Sequence, residues 1–97
     1  MYIKIHRSYR NVVALCDAEL LGRKLDEGIH QLDVIESFYK DKNVTQEEAI
    51  RILQQQAQED ATFNIIGKKS IAAAIAANLL TKKDVAHLAG IPFALVF

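Results

Sequence analysis

The chain has 97 residues, 51% of them hydrophobic, and its 12 Lys and Arg residues balance 12 Asp and Glu. That length supports one core and not two, so a single domain over residues 1–97 is expected, and the apolar content excludes a disordered chain. A formal net charge of +0 removes the bulk-charge argument for a dedicated nucleic-acid binder, an acidic chaperone or a polybasic membrane protein.

The zero conceals a pattern. Residues 1–24 carry +3, residues 25–60 carry −6 and residues 61–97 carry +3. If the two basic ends meet in the fold, one face of a neutral molecule could be basic. Cys16 is the single cysteine and cannot form an internal disulfide, which fits a reducing cytoplasm. The N-terminus alternates charged and apolar residues and lacks the apolar core of a signal peptide. The least polar stretch, Ser70 to Leu80, is far shorter than the ~20 residues of a membrane span, so no membrane partner is expected.

In chain order, Tyr2 to Arg7 alternates with period two and predicts a half-buried strand, with Ile3 and Ile5 on one face. Ser8 to Asn11 is a polar break. Val12 to Cys16 reads as a buried strand, and the two make an N-terminal hairpin. Asp17 is expected to cap a helical turn through Leu21, stopped by Gly22. Lys24 to Gly28 reads as a turn-forming connection, Ile29 to Ile35 as a strand, and Glu36 to Tyr39 as a short helical appendage. Thr45 with Glu48 three residues on is a capping box, so a helix starts there, with Ala49, Ile52, Leu53 and Ala57 as its buried stripe. Thr62 to Ile66 is β-rich and ends at Gly67. A second helix, alanine-rich and closely packed, is expected through Lys68 to Leu80. Val85 to Ala89 and Phe93 to Phe97 read as final strands around Gly90-Ile91-Pro92. The expected class is α+β: one small domain with a mixed or antiparallel sheet, an N-terminal hairpin and two principal helices.

The chemistry-bearing patterns are sparse. Gly67-Lys68-Lys69-Ser70 is similar to the end of a phosphate-binding loop, but Thr62 stands where the first glycine belongs and an extra lysine precedes the serine. A helix N-terminus here could still hold an anion, because two lysines oppose the helix dipole unless something negative, a ligand or Glu59 and Asp60, lies nearby. Cys16, His6, His30 and His87 show no ligand spacing, and the sequence neighbour of Cys16 is an acid, so no metal, cofactor or catalytic residue is expected. Lys4, His6, Arg7, Tyr9 and Arg10 combine bases with an aromatic on one hairpin, a surface suited to phosphates and a stacked base. With Lys68, Lys69 and Ser70 they form the candidate anion or RNA surface.

The order of landmarks resembles a small archaeal family, the domain of unknown function DUF424. The resemblance rests on Cys16-Asp17-Ala18-Glu19-Leu20-Leu21-Gly22, supported by Asn64-Ile65-Ile66-Gly67 and by Gly90-Ile91-Pro92, and it spans nearly the whole chain. It implies a compact archaeal cytoplasmic α+β protein and transfers no activity. The family pattern continues His-Ala-Gln after Gly-x-Pro, where this chain has Phe93-Ala94-Leu95, and it has an acidic residue at the position of Lys68. Three functions follow as expectations: a noncatalytic binding module, with RNA or a ribonucleoprotein as partner; a protein-binding or homodimerising module using the apolar segment Phe93 to Phe97; and a small enzyme using Cys16.

Overall fold

In the computed structural model, which describes residues 1–97, β1 (Tyr2–His6) and β2 (Val12–Cys16) form the expected hairpin, with Tyr2 opposite Cys16 and His6 opposite Val12. β2 then runs parallel to β6 (Thr62–Ile66), from Val12 beside Thr62 to Cys16 beside Ile66. The six-stranded mixed sheet has the order β5-β1-β2-β6-β8-β7, with β5 at Lys42–Asn43, β7 at Ala86–Leu88 and β8 at Ile91–Val96. The class is α+β, as the alternation of strands and helices implied.

Side chains alternate across this sheet and supply two cores. On one face Ile3, Val13, Leu15, Phe63, Ile65 and Ala94 pack against Ala49 and Leu53 of α2 (Gln46–Gln58) and Ile71, Ala73 and Ala74 of α3 (Lys68–Ala76). On the other, Ala14, Cys16 and Ile66 lie beneath Leu25, Val34 and Tyr39. Those three come from a separate β3–β4 hairpin (Lys24–Glu27 and His30–Asp33), the segment after it, and the single helical turn α1 (Glu36–Tyr39). The two principal helices are therefore α2 and α3.

The capping box at α2 is formed from both sides: Thr45 Oγ1 accepts from Glu48 N at 3.2 Å, and Glu48 Oε1 accepts from Thr45 N at 3.0 Å. Several expectations are corrected. Lys24 to Glu27 is a strand and not a turn; only Leu25 of the four is buried, so the alternation that marks a strand is masked by three exposed charged residues. In α2 the buried position is Gln56 and not Ala57, because Asn11 Nδ2 donates to Gln56 Oε1 at 3.2 Å. Helix α3 stops at Ala76, short of Leu80, because Asn78 takes a left-handed conformation (φ 62°), which asparagine tolerates and most residues do not. β8 begins at Ile91, so Pro92 lies inside a strand; its carbonyl accepts from Gly67 N at 2.8 Å, and no donor is asked of it there. The β7–β8 turn places both Ala89 (φ 51°) and Gly90 (φ 78°) in the left-handed region, as in a two-residue type I′ hairpin. No helix is long and apolar enough to cross a membrane.

Candidate functional site

The parallel register of β2 with β6, and the antiparallel pairing of β6 with β8, bring the three motif segments to one end of the sheet. Cys16 and Ile66 are paired, so Asp17 and Gly67 follow side by side, and Asp17 N donates to Ile66 O at 3.1 Å. α3 starts at once with Gly67 as its N-cap, a residue with no side chain to satisfy the first N–H groups of the helix. Asp17 supplies what Gly67 lacks. One carboxylate oxygen accepts from Ser70 N at 2.8 Å and from Ser70 Oγ at 2.7 Å, and the other accepts from Lys69 N at 3.0 Å. Asp17 is 3% exposed and Ser70 is fully buried.

Asp17 therefore does not cap its own short turn, a 3₁₀ turn at Ala18–Leu20 with no side-chain cap bond, as the local sequence suggested. It caps a helix more than fifty positions away and is the negative group that the two lysines required; Glu59 and Asp60 are not. Gly67 has φ 111°, and a Cβ there would overlap the Asp17 carboxyl group. Gly22 N donates to Val34 O at 2.8 Å, and Asn64 sits mid-strand between Ala14 and Leu95. Of the motif residues, Gly67 lies directly against the buried Asp17 carboxylate, and Pro92 holds Gly67 in place by accepting from its N–H.

Cys16 lies beneath this lock, fully buried. Burial first, and then the charge of Asp17, push its thiol from 9.0 up to about 11. Burial also pushes the neighbouring Tyr39 hydroxyl up to about 12, with a smaller contribution from Cys16. His6 stacks on Phe38 with ring centroids 4.5 Å apart, and its Nε2–H donates to the Phe38 carbonyl at 2.8 Å. His30 and His87 line a cleft of about 500 Å³ with Glu27, but no three His, Cys, Asp or Glu side chains are gathered to hold a metal ion.

The candidate anion surface divides between the two ends of the strands. Arg7, Tyr9 and Arg10 follow His6 at the hairpin end, whereas Lys68, Lys69 and Ser70 lie beyond Ile66, about 13 Å of strand away. At the hairpin end Lys4 Nζ donates to Ser37 O at 2.8 Å, Arg10 pairs with Asp60, and Arg7 lines a cleft with Asp41 and Glu59. Tyr9 is fully exposed. At the other end three concave surfaces meet at Lys68. One, of about 290 Å³, is lined by Glu19, Arg23, Lys69 and Ile91 among others. A second, of about 490 Å³, includes Val44, Gln46 and Lys69. The third, of about 370 Å³, adds Lys82 and His87. None of Arg23, Lys68, Lys69 and Lys82 forms an ion pair.

Arg23 escaped sequence reasoning because it lies far from Lys68 in the chain, and Lys82, a basic residue of the same C-terminal segment, could be named there without being placed beside Lys68. The one signal for the Asp17 contact was negative: a helix opening on Gly-Lys-Lys with no cap of its own needs an acid from elsewhere.

No curated protein matches the chain. The crystal structure of an uncharacterized conserved protein from Methanopyrus kandleri is similar to it, with a TM-score of 0.89 and 26% identity over 98% of this chain and 88% of that one. The family model for "Protein of unknown function (DUF424)" matches residues 6–97, the span that carries all three motif segments, and the chain belongs to that family.

Proposed function

We propose that residues 1–97 form a noncatalytic binding module, in a reducing cytoplasm, that holds an anionic macromolecular partner on the concave surface around the start of α3. The observation that carries this reading is the meeting of three clefts at Lys68, with Lys69, Lys82 and Arg23 around it and none of the four ion-paired. The helix N-terminus itself is not the binding group, because Asp17 already occupies it. RNA, suggested by the basic ends, is one partner class for such a surface, although Tyr9 lies at the far end of the strands. Catalysis by Cys16 is disfavoured on physical grounds: a buried thiol raised to about 11 supplies almost no thiolate at neutral pH.

Fluorescence anisotropy with labelled polyglutamate and single-stranded poly(U) tests the reading. Binding should weaken with added salt and fall in a Lys68→Ala/Lys69→Ala/Lys82→Ala variant, since it rests on exposed charge. No binding of either polymer at low salt would sink it. A second reading, self-association, draws on Leu95 and Phe97, which are 54% and 85% exposed at the end of β8. Sedimentation equilibrium showing a monomer at every concentration ends that reading.

A further inference from the structure

The groove between α3 and the β7–β8 end differs in kind from the other two clefts that meet at Lys68. Its floor is aliphatic, formed by Ile71, Ala72, Ile75, Val85 and Pro92, and its rim carries Lys68, Lys82 and His87 with no carboxylate among the lining residues. Ile75 and Val85 are only partly buried, so apolar surface stays within reach of solvent. Asp84 and Glu27, on the adjoining turn and strand, form no ion pair with the rim. Asp84 accepts from Thr81 N at 2.8 Å and from Thr81 Oγ1 at 3.2 Å, and Glu27 accepts from Ala89 N at 2.7 Å. Neither Lys68 nor Lys82 has an ion-pair partner.

The geometry points to a docking groove for a short acidic peptide segment of a partner protein, with an aliphatic side chain against Ile71, Ile75 and Val85 and flanking carboxylates on Lys68 and Lys82. This rests on the anionic-partner reading above and names the partner. Charge complementarity selects an acidic occupant, since the rim carries two lysines without an ion pair and no carboxylate lines the groove. The floor selects between polyanions. Single-stranded nucleic acid is held by stacking successive bases on aromatic or guanidinium planes, and this groove offers one such plane, the His87 imidazole at its rim, over a floor that is wholly aliphatic and fits Leu or Ile side chains. A groove of about 370 Å³ is at the small end of the range for ligand sites, so one apolar anchor with adjacent charges matches its size better than a long helix.

The test uses the full chain and three labelled probes: the peptide Asp-Glu-Leu-Leu-Glu-Asp, the control Asp-Glu-Ser-Ser-Glu-Asp, and single-stranded poly(U) of similar length. The leucine peptide should bind about tenfold or more tightly than the serine control. Lys68→Ala/Lys82→Ala should weaken both peptides. Ile75→Ser should weaken only the leucine peptide, and circular dichroism identical to the parent shows that each variant is folded. Equal binding of the two peptides overturns the groove while leaving the anionic surface intact. So does binding of poly(U) with both peptides silent. Silence of all three probes at low salt overturns both proposals. Self-association of the protein that depends on Lys68 and excludes the leucine peptide also overturns it, because the acidic segment of residues 25–60 in a second copy would then be the occupant.

Discussion

At the hairpin end of the central strands, Arg10 Nε donates to Asp60 O at 2.9 Å and its guanidinium pairs with Asp60 at 3.4 Å, Lys4 is tied to Ser37, and Arg7 shares a cleft with Asp41 and Glu59. At the other end the arrangement is reversed. The one deeply buried carboxylate, Asp17, is engaged by the backbone and serine hydroxyl at the start of α3, and the cations around it form no ion pair, although Glu19 lines the cleft they share. Two ends of one sheet, both basic in sequence, thus divide their cations differently: at the hairpin end Arg10 is ion-paired and Lys4 is held by a backbone carbonyl, and around Lys68 no cation is ion-paired. A count of basic residues cannot see this difference. The register can, because it decides which acid reaches which base.

Perturbations of four features sharpen the contrast, beginning with the largest. Asp17→Ala leaves Lys69 N, Ser70 N and Ser70 Oγ without their acceptor in a buried setting, and should cost roughly 3 kcal/mol or more in a urea titration. Gly67→Ala should destabilise on the same scale, since it adds a strained φ to an overlap with that carboxyl group. A loss below about 1 kcal/mol for either would mean that Asp17 does not hold α3.

The second perturbation is alkaline pH. Cys16 and Tyr39 have folded-state pKa values above their ordinary ones, so the folded chain keeps protons that the unfolded chain releases. Stability is full below 9.0 and falls as pH rises through about 11 and then about 12. Melting temperature against pH reads this, and a Cys16→Ala variant should flatten the first part of the decline. The mild case is Ala89→Asn: asparagine tolerates the left-handed turn position better than alanine, and about 0.5 kcal/mol of stabilisation is expected from chemical denaturation. Smallest is Arg10→Ala, whose ion-pair partner is 85% exposed; it should change stability by no more than about 0.5 kcal/mol.

Much of the fold was legible because its signals are local. Ile3 and Ile5 alternate with polar neighbours, Thr45 and Glu48 announce α2, and Gly90 marks the last turn. Long-range pairing left no local trace. β3 was hidden because three of its four residues are exposed and charged, and Gln56 was buried by a partner, Asn11, on another element. The site followed the same rule. Lys68, Lys69, Asp17 and Gly67 could all be picked out in the sequence, and their residue types even suggested that something negative was missing. That Asp17 supplies it, and that Lys82 shares a groove with Lys68, depends on the parallel pairing of β2 with β6 and on the return of β7 and β8 beside α3.

The central claim is that the cations around Lys68 are open to a partner, whereas at the hairpin end Lys4 and Arg10 are bonded within the chain and Arg7 lies in a cleft with two acids. Anisotropy titration of the Asp-Glu-Leu-Leu-Glu-Asp peptide against two double variants tests it most directly. Lys68→Ala/Lys82→Ala should weaken binding about tenfold, and Arg7→Ala/Arg10→Ala should change it by less than about twofold. Equal losses in the two variants, or a larger loss at the hairpin, would contradict the account.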